Sequence, residues 1–407
     1  METNKRSLLL RYSIHQVLFW MAYCGITSFA VTYLTGRGFS AAMSGAMMFS
    51  GNVVSFILQM PLADYADRHA SKNSLPFLMT LLAAVSLISI FLIRTAVLSA
   101  PVFFILFTLT TACFDMEIPL MNSTCVFYAS KGYRISYGIP RAAAAIMFGA
   151  ASLFIGFAMS DWGIEWMPNI TIIGFVLFII VSITYPRVDG ADTPAAENKE
   201  QDDSLDLAAF FRQYKWYTLS LLSIVLFGLV HISAENYFIE IFKAVGGDSS
   251  NVGVALCIGT VLEAPVAVIG MWAMRKAGAK RIWLLVGISF AVRMSILLCA
   301  RSVMTVYLSQ IIQLTSYGLI PPGQVYYSDR CVSEADMVKG QSISTAAYVL
   351  GCALGNLMGG ILVDGFGVRF MLAVNIGFSV ISVIVAAICV PKALAERKEV
   401  SDDKLRN

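Results

Sequence analysis

An all-α, polytopic membrane fold is what this sequence predicts, and three observations predict it. About twelve apolar stretches of roughly 20 residues follow one another along the chain, each long enough to cross a hydrocarbon core as a helix. The composition is 57% hydrophobic and only 14% charged, whereas a soluble globular chain carries roughly 25% charge. Nothing alternates polar with apolar over about 10 residues, as the strands of a membrane β-barrel do.

The predicted spans are 12–34, 42–66, 74–95, 100–128, 138–160 and 168–186, then 217–243, 250–276, 281–300, 303–328, 340–364 and 369–391. The first runs from Tyr12 to Leu34, too long for a signal-peptide core and without a small-residue cleavage site, so it reads as an uncleaved span. Pro119 loosens the fourth and frees a backbone carbonyl, which is tolerated only beside protein or water. The Ala run after Arg141 in the fifth and the Gly351, Gly355, Gly359 ridge in the eleventh are small-residue surfaces for close helix packing. Met-rich MSGAMM in the second reads as lipid-facing or packing. Trp162, Trp166, Trp216 and Trp283 fall near span ends, as interfacial aromatics do, and depth alone places His15 at an interface too.

The one long polar stretch, between Pro186 and Trp216, has the composition of a solvated linker and divides the spans six and six. The predicted organisation is a first bundle over 1–186, a linker over 187–216, a second bundle over 217–391 and a tail over 392–407. Pro119, Gly138 and Gly149 recur as Pro321, Gly340 and Gly351, each 202 residues later, which suggests a duplication and two pseudo-symmetric six-helix bundles. With both termini cytoplasmic, the inner segments hold 22 of the Lys and Arg residues and the outer loops five; this bias sets the predicted topology in a cytoplasmic membrane.

A net charge of +3 with no basic arm argues against a nucleic-acid partner. The eight cysteines show no metal or redox spacing and read as small apolar fillers, so no metal or cofactor is expected. Enzyme motifs are missing: no phosphate-binding loop, no HExxH and no nucleophile elbow.

Chemistry instead points to ionisable groups within the spans, where a charge costs at least about 2.5–3.5 kcal/mol and faces a partner or water. Arg141 and Arg293 cannot neutralise themselves by losing a proton. Four carboxylates accompany them: Asp115, Glu117, Glu235 and Glu263. Asp115 and Asn122, seven apart, share a helix face, whereas Glu117 lies about 200° around from Asp115. His231 and Glu235 are one turn apart and can pair. Two arginines against four acids leave an acidic surplus suited to carrying a proton, with Glu263 the first candidate and Asp115 the second.

The loop after the second span, Ala63-x-x-x-Asp67-Arg68-x-Ala70-x-Lys72, and the Gly270, Arg275, Gly278, Lys280, Arg281 series after the eighth resemble the loop signature of the major facilitator superfamily. The opening RYSIHQVLFW, Tyr137-Gly138-x-x-Arg141, Ala291-Val292-Arg293 and Glu263-Ala264-Pro265 are similar to the oligosaccharide–proton symporter branch typified by lactose permease. That resemblance implies alternating access, a gate at Asp67 and Arg68, solute hydroxyls held by Arg141 and a proton step served by Arg293. Three positions depart from it: Asn122 stands for a carboxylate, Phe148 for a sugar-stacking tryptophan, and Gln313-x-x-Ser316 for a His-x-x-Glu proton pair. Amide, hydroxyl and aromatic still line a site for a neutral polyol or glycoside. The expectation is a proton-coupled permease for a small polar, sugar-like solute, working as a monomer in the bilayer. A proton-driven exporter of amphipathic compounds and a transport-deficient receptor are the alternatives.

Overall fold

The computed structural model describes residues 2–68, 74–130, 138–185 and 205–406, and among them every regular element is helical. The chain forms two compact units, Met1–Glu197 with Asp248–Thr260, and Asn198–Gly247 with Val261–Asn407.

In the first unit α1 (Glu2–Tyr23) passes through a wide turn at Cys24–Ser28 into α2 (Ala30–Gly36). The two arms of this span bend by 49°. Then follow α3 (Ala41–Arg68), α4 (Ser74–Thr95), α5 (Ala100–Ser130), α6 (Gly138–Asp161) and α7 (Trp166–Ile183). Helix α1 packs on α6 and α7, and α5 on α3 and α4. A Cβ on Gly51 would stand 2.0 Å from Thr111 Oγ1, so α3 approaches α5 at a distance only glycine permits. Glu165, in the turn after α6, takes Arg37 at 2.6 Å and Arg94 at 3.4 Å, which ties the ends of α2 and α4 to that turn. His15 is fully buried within the protein, with Nε2 2.7 Å from Ser182 Oγ and its ring stacked on Phe178. A hydroxyl partner and an aromatic face satisfy it inside the unit, which depth alone could not reveal.

Asp248 and the first turns of α11 (Ser249–Ala277) belong to this unit. The Asp248 carboxylate accepts from Ser250 Oγ at 2.6 Å, from Ser160 Oγ of α6 at 2.9 Å, and from Ser250 N and Asn251 N at the start of α11. Burial pushes this carboxyl up, but those hydrogen bonds outweigh it and hold it below the usual carboxylate value. A Cβ on Gly253 would lie 2.3 Å from Ser152 O, so α6 and α11 cross almost backbone to backbone.

The second unit begins with α8 (Leu207–Gln213), capped where Asp206 accepts from Ala209 N at 2.6 Å. It continues with α9 (Lys215–Glu235), α10 (Phe238–Lys243), the rest of α11, α12 (Ala279–Leu298), α13 (Val303–Ser309), α14 (Ile320–Cys331), α15 (Met337–Phe366) and α16 (Val368–Arg406). Helix α9 packs against both α15 and α16. Gly351 and Gly355 make the first of these contacts possible: a Cβ there would meet Val225 O at 2.0 Å and Leu229 O at 2.5 Å. Trp283 is buried within the protein, its ring centroid 5.8 Å from those of Phe227 and Tyr327. Rings from α9 and α14 cover it.

Ten helices of the described residues are long and apolar enough to span a membrane, and the bent α1–α2 pair makes eleven. The predicted span 250–276 is one continuous helix, of which Ser249–Glu263 counts as a shorter apolar helix. Besides the first, two predicted spans are broken. The seventh parts at Asn236–Tyr237, and the tenth is α13 and α14 joined by tight turns at Gln310–Leu314 and Tyr317–Leu319. Pro321 and Pro322 open α14 and lack the N–H groups that would extend its ladder backward.

Candidate functional site

The two broken spans of the second unit place the polar side chains. Helix α9 ends at Glu235; there Asn236 Nδ2 donates to Asn356 Oδ1 at 2.6 Å and the Tyr237 hydroxyl to Asn356 O at 2.7 Å, which stitches the break to α15. One turn back, His231 Nε2 lies 2.8 Å from Glu235 Oε2, and its ring stacks on Tyr317 with centroids 4.2 Å apart. Gln313, on the first tight turn, donates Nε2 to Glu235 Oε1 at 3.2 Å and to Glu263 Oε1 at 2.9 Å. One amide therefore joins carboxylates from α9 and α11.

Arg293 of α12 is fully buried and donates Nη2 to Gln310 Oε1 at 2.9 Å. Its guanidinium lies 5.8 Å from the centre of the Phe238 ring and within the electrostatic field of Glu235 and Glu263. Its Nε and Nη1, Gln310 Nε2 and Gln313 Oε1 have no hydrogen-bond partner among the described residues. A buried cation with spare donors beside two acids is costly unless partners are exchanged or supplied. Ser316, expected beside Gln313 on a lining face, is buried and donates to Ile312 O at 3.0 Å instead. The turn it closes uses its hydroxyl.

The first unit holds the remaining predicted positions. Arg141, near the start of α6, lays its guanidinium over the Trp20 ring at 4.3 Å. Phe148 stands two turns along, with its ring 6.5 Å from Trp20 and half-buried. Asp115 Oδ2 accepts from Asn52 Nδ2 at 2.7 Å, and Asn122 is half-buried farther along α5. Glu117 is fully buried, and neither of its oxygens has a hydrogen-bond partner among the described residues. Asp67 and Arg68 end α3, and their side chains lie outside the described residues.

Both arginines, the four acids and the His231–Glu235 spacing were legible in the sequence. Trp20, Asn52, Gln310 and Tyr317 were missed. Tyr12, Gln16 and Trp20 recur every four residues on α1, a helical stripe legible in the sequence, whereas the contacts of Gln310 and Tyr317 depend on unpredicted turns.

The model of the MFS_1 like family matches residues 9–374. No curated protein matches the sequence. Similar solved structures include a mutant form of the nucleoside transporter NupG, 16% identical with a TM-score of 0.80 over 93% of this chain and 98% of that one. A bacterial homolog of the human lysosomal transporter Spinster, inward-facing and unoccupied, is 16% identical with a TM-score of 0.74, covering 97% and 99%. A D-xylose–proton symporter is 16% identical with a TM-score of 0.69, covering 95% and 98%.

Proposed function

The chain belongs to the MFS_1 like family and is a membrane transporter, not an enzyme, and we propose that it couples uptake of a small neutral sugar or nucleoside to one proton. The observation that carries this reading is the Gln313 amide shared between Glu235 and Glu263, with His231 and buried Arg293 beside it.

Charge counting gives the mechanism. Arg293 stays protonated. With both acids ionised and His231 neutral, the cluster carries one net negative charge. One proton on either acid brings it to zero. An uncompensated charge in a low-dielectric interior costs several kcal/mol, so the cluster holds that proton until solute, water or a rearranged partner replaces its contribution. The pair is tied to the α9 break and Gln313 to the α13–α14 break, so a change of access that shifts these breaks changes proton affinity. This is linkage between conformation and proton binding.

In this reading Arg141, Asn122, Phe148 and Gln313 are the solute-binding candidates. Ser316 braces its turn. Asp115 and Glu117 supply further acid, and Asp67 with Arg68 forms the gate. The protein lies as a monomer in the cytoplasmic membrane with both termini inside, and its two bundles are joined by the 187–216 linker. The names of the similar structures, a nucleoside transporter and a D-xylose–proton symporter, favour a hydroxyl-rich neutral solute.

Proteoliposomes loaded with a pH dye test this. External uridine or D-xylose should acidify the lumen, and an imposed pH gradient should drive accumulation. Glu235→Gln and Glu263→Gln should each cut accumulation by about tenfold while solute exchange persists, because a neutral side chain removes the proton-binding step. Undiminished accumulation in both variants would overturn the assignment.

A further inference from the structure

We propose that Trp20 is a specificity-determining residue: it orients the Arg141 guanidinium so that its in-plane donors recognise a vicinal diol or a similarly paired set of oxygens on the solute. The inference rests on the transport reading above and concerns recognition, not the proton.

Among the described residues Arg141 is a cation without an acid. Asn122 occupies the position where the resemblance leads one to look for a carboxylate, and among the described residues Arg141 has neither an ion pair nor a hydrogen bond. Its recorded partner is the Trp20 ring, 4.3 Å from the guanidinium carbon. A cation over an indole face is stabilised without using its N–H groups. A stacked guanidinium keeps its donors in a rigid planar fork at its edge, matched to two oxygens side by side. A salt bridge would have consumed that fork; stacking leaves it available.

The indole is itself held. Trp20 Nε1 donates to Gln16 Oε1 at 3.1 Å, and Gln16 Nε2 donates to the Tyr12 hydroxyl at 2.8 Å. Gln16 and Tyr12 are fully buried, whereas Trp20 and Arg141 are half-exposed. The chain therefore runs from a fixed interior to an accessible tip, the build expected of a pre-organised binding group. Tyr23, with its ring 5.0 Å from Trp20, and Phe148 complete an aromatic surround against which the apolar face of a pentose, pyranose or base can lie. The ligand chemistry that fits is a neutral ring bearing adjacent hydroxyls.

Equilibrium calorimetry on purified full-length protein, with no gradient, tests this by comparing uridine with 2′,3′-dideoxyuridine, and D-xylose with its deoxy analogues. Wild type should prefer the diol partner of at least one pair by about tenfold. Trp20→Leu should abolish that preference by weakening the diol ligand alone, and Arg141→Lys should do the same by removing the fork. Trp20→Phe, which keeps a π face, should restore part of it, and its melting temperature serves as the folding control. A Trp20→Leu protein that retains the full diol preference would overturn the proposal. So would a wild type that binds none of these solutes, whereas proton-coupled uptake of some other compound would in that case leave the transport reading standing.

Discussion

At the scale of single residues, the second unit concentrates its chemistry on side chains that share partners. Gln313 serves two carboxylates with one nitrogen. Gln313→Leu withdraws donors from both, and hydrogen bonds to charged groups are worth about 1.5–3 kcal/mol each. The variant should therefore melt several degrees lower and accumulate solute poorly; a stable, fully coupled Gln313→Leu protein would show that the amide is incidental. Arg293→Leu should be worse, because it leaves two half-buried acids without their cation, a class of change that costs about 3–5 kcal/mol where the charges are fully buried and less here. Circular-dichroism melts read both. These residue types and their spacing were visible in the sequence, since a mid-span arginine has no innocent place in hydrocarbon. What was not visible is which acid takes which donor. Spacing within one helix predicts His231 with Glu235, but no spacing predicts Gln313 with Glu263, which meet only through tertiary packing.

At the scale of elements, glycine and proline set where helices touch and where they break. Gly351→Val would drive a branched side chain into Val225 O and separate α9 from α15. Because α9 carries His231 and Glu235, both stability and coupling should fall together, and a variant that loses neither would refute the link. The start of α11 gives a pH-dependent test. The Asp248 carboxyl is held below its ordinary value, so its contribution is fully present above the unfolded carboxylate's pKa and is lost as pH falls through the folded one. Asp248→Asn should lower the melting temperature near neutrality, and the gap to wild type should close in acid. Helix existence was legible because long apolar runs have few alternatives in a bilayer. The breaks in the first, seventh and tenth spans were not. Their apolar periodicity continues across them, and only local turn geometry, with Pro321 and Pro322 behind one of them, interrupts the ladder.

At the scale of the whole molecule, the chain reads as a transporter because its membrane helices bury ionisable groups that a purely structural bundle has no use for. The two units divide these groups unequally. The first holds a stacked arginine with open donors and the second a cluster one proton short of neutrality. In the proposed reading the first recognises solute and the second carries the proton. The measurement that tests this most directly is the proton-to-solute ratio, read from reversal potentials in proteoliposomes across a series of imposed pH gradients. A ratio of one in the wild type, falling to zero in Glu235→Gln and Glu263→Gln, is the predicted result. Solute flux indifferent to the pH gradient, or a ratio unchanged in both variants, would contradict it.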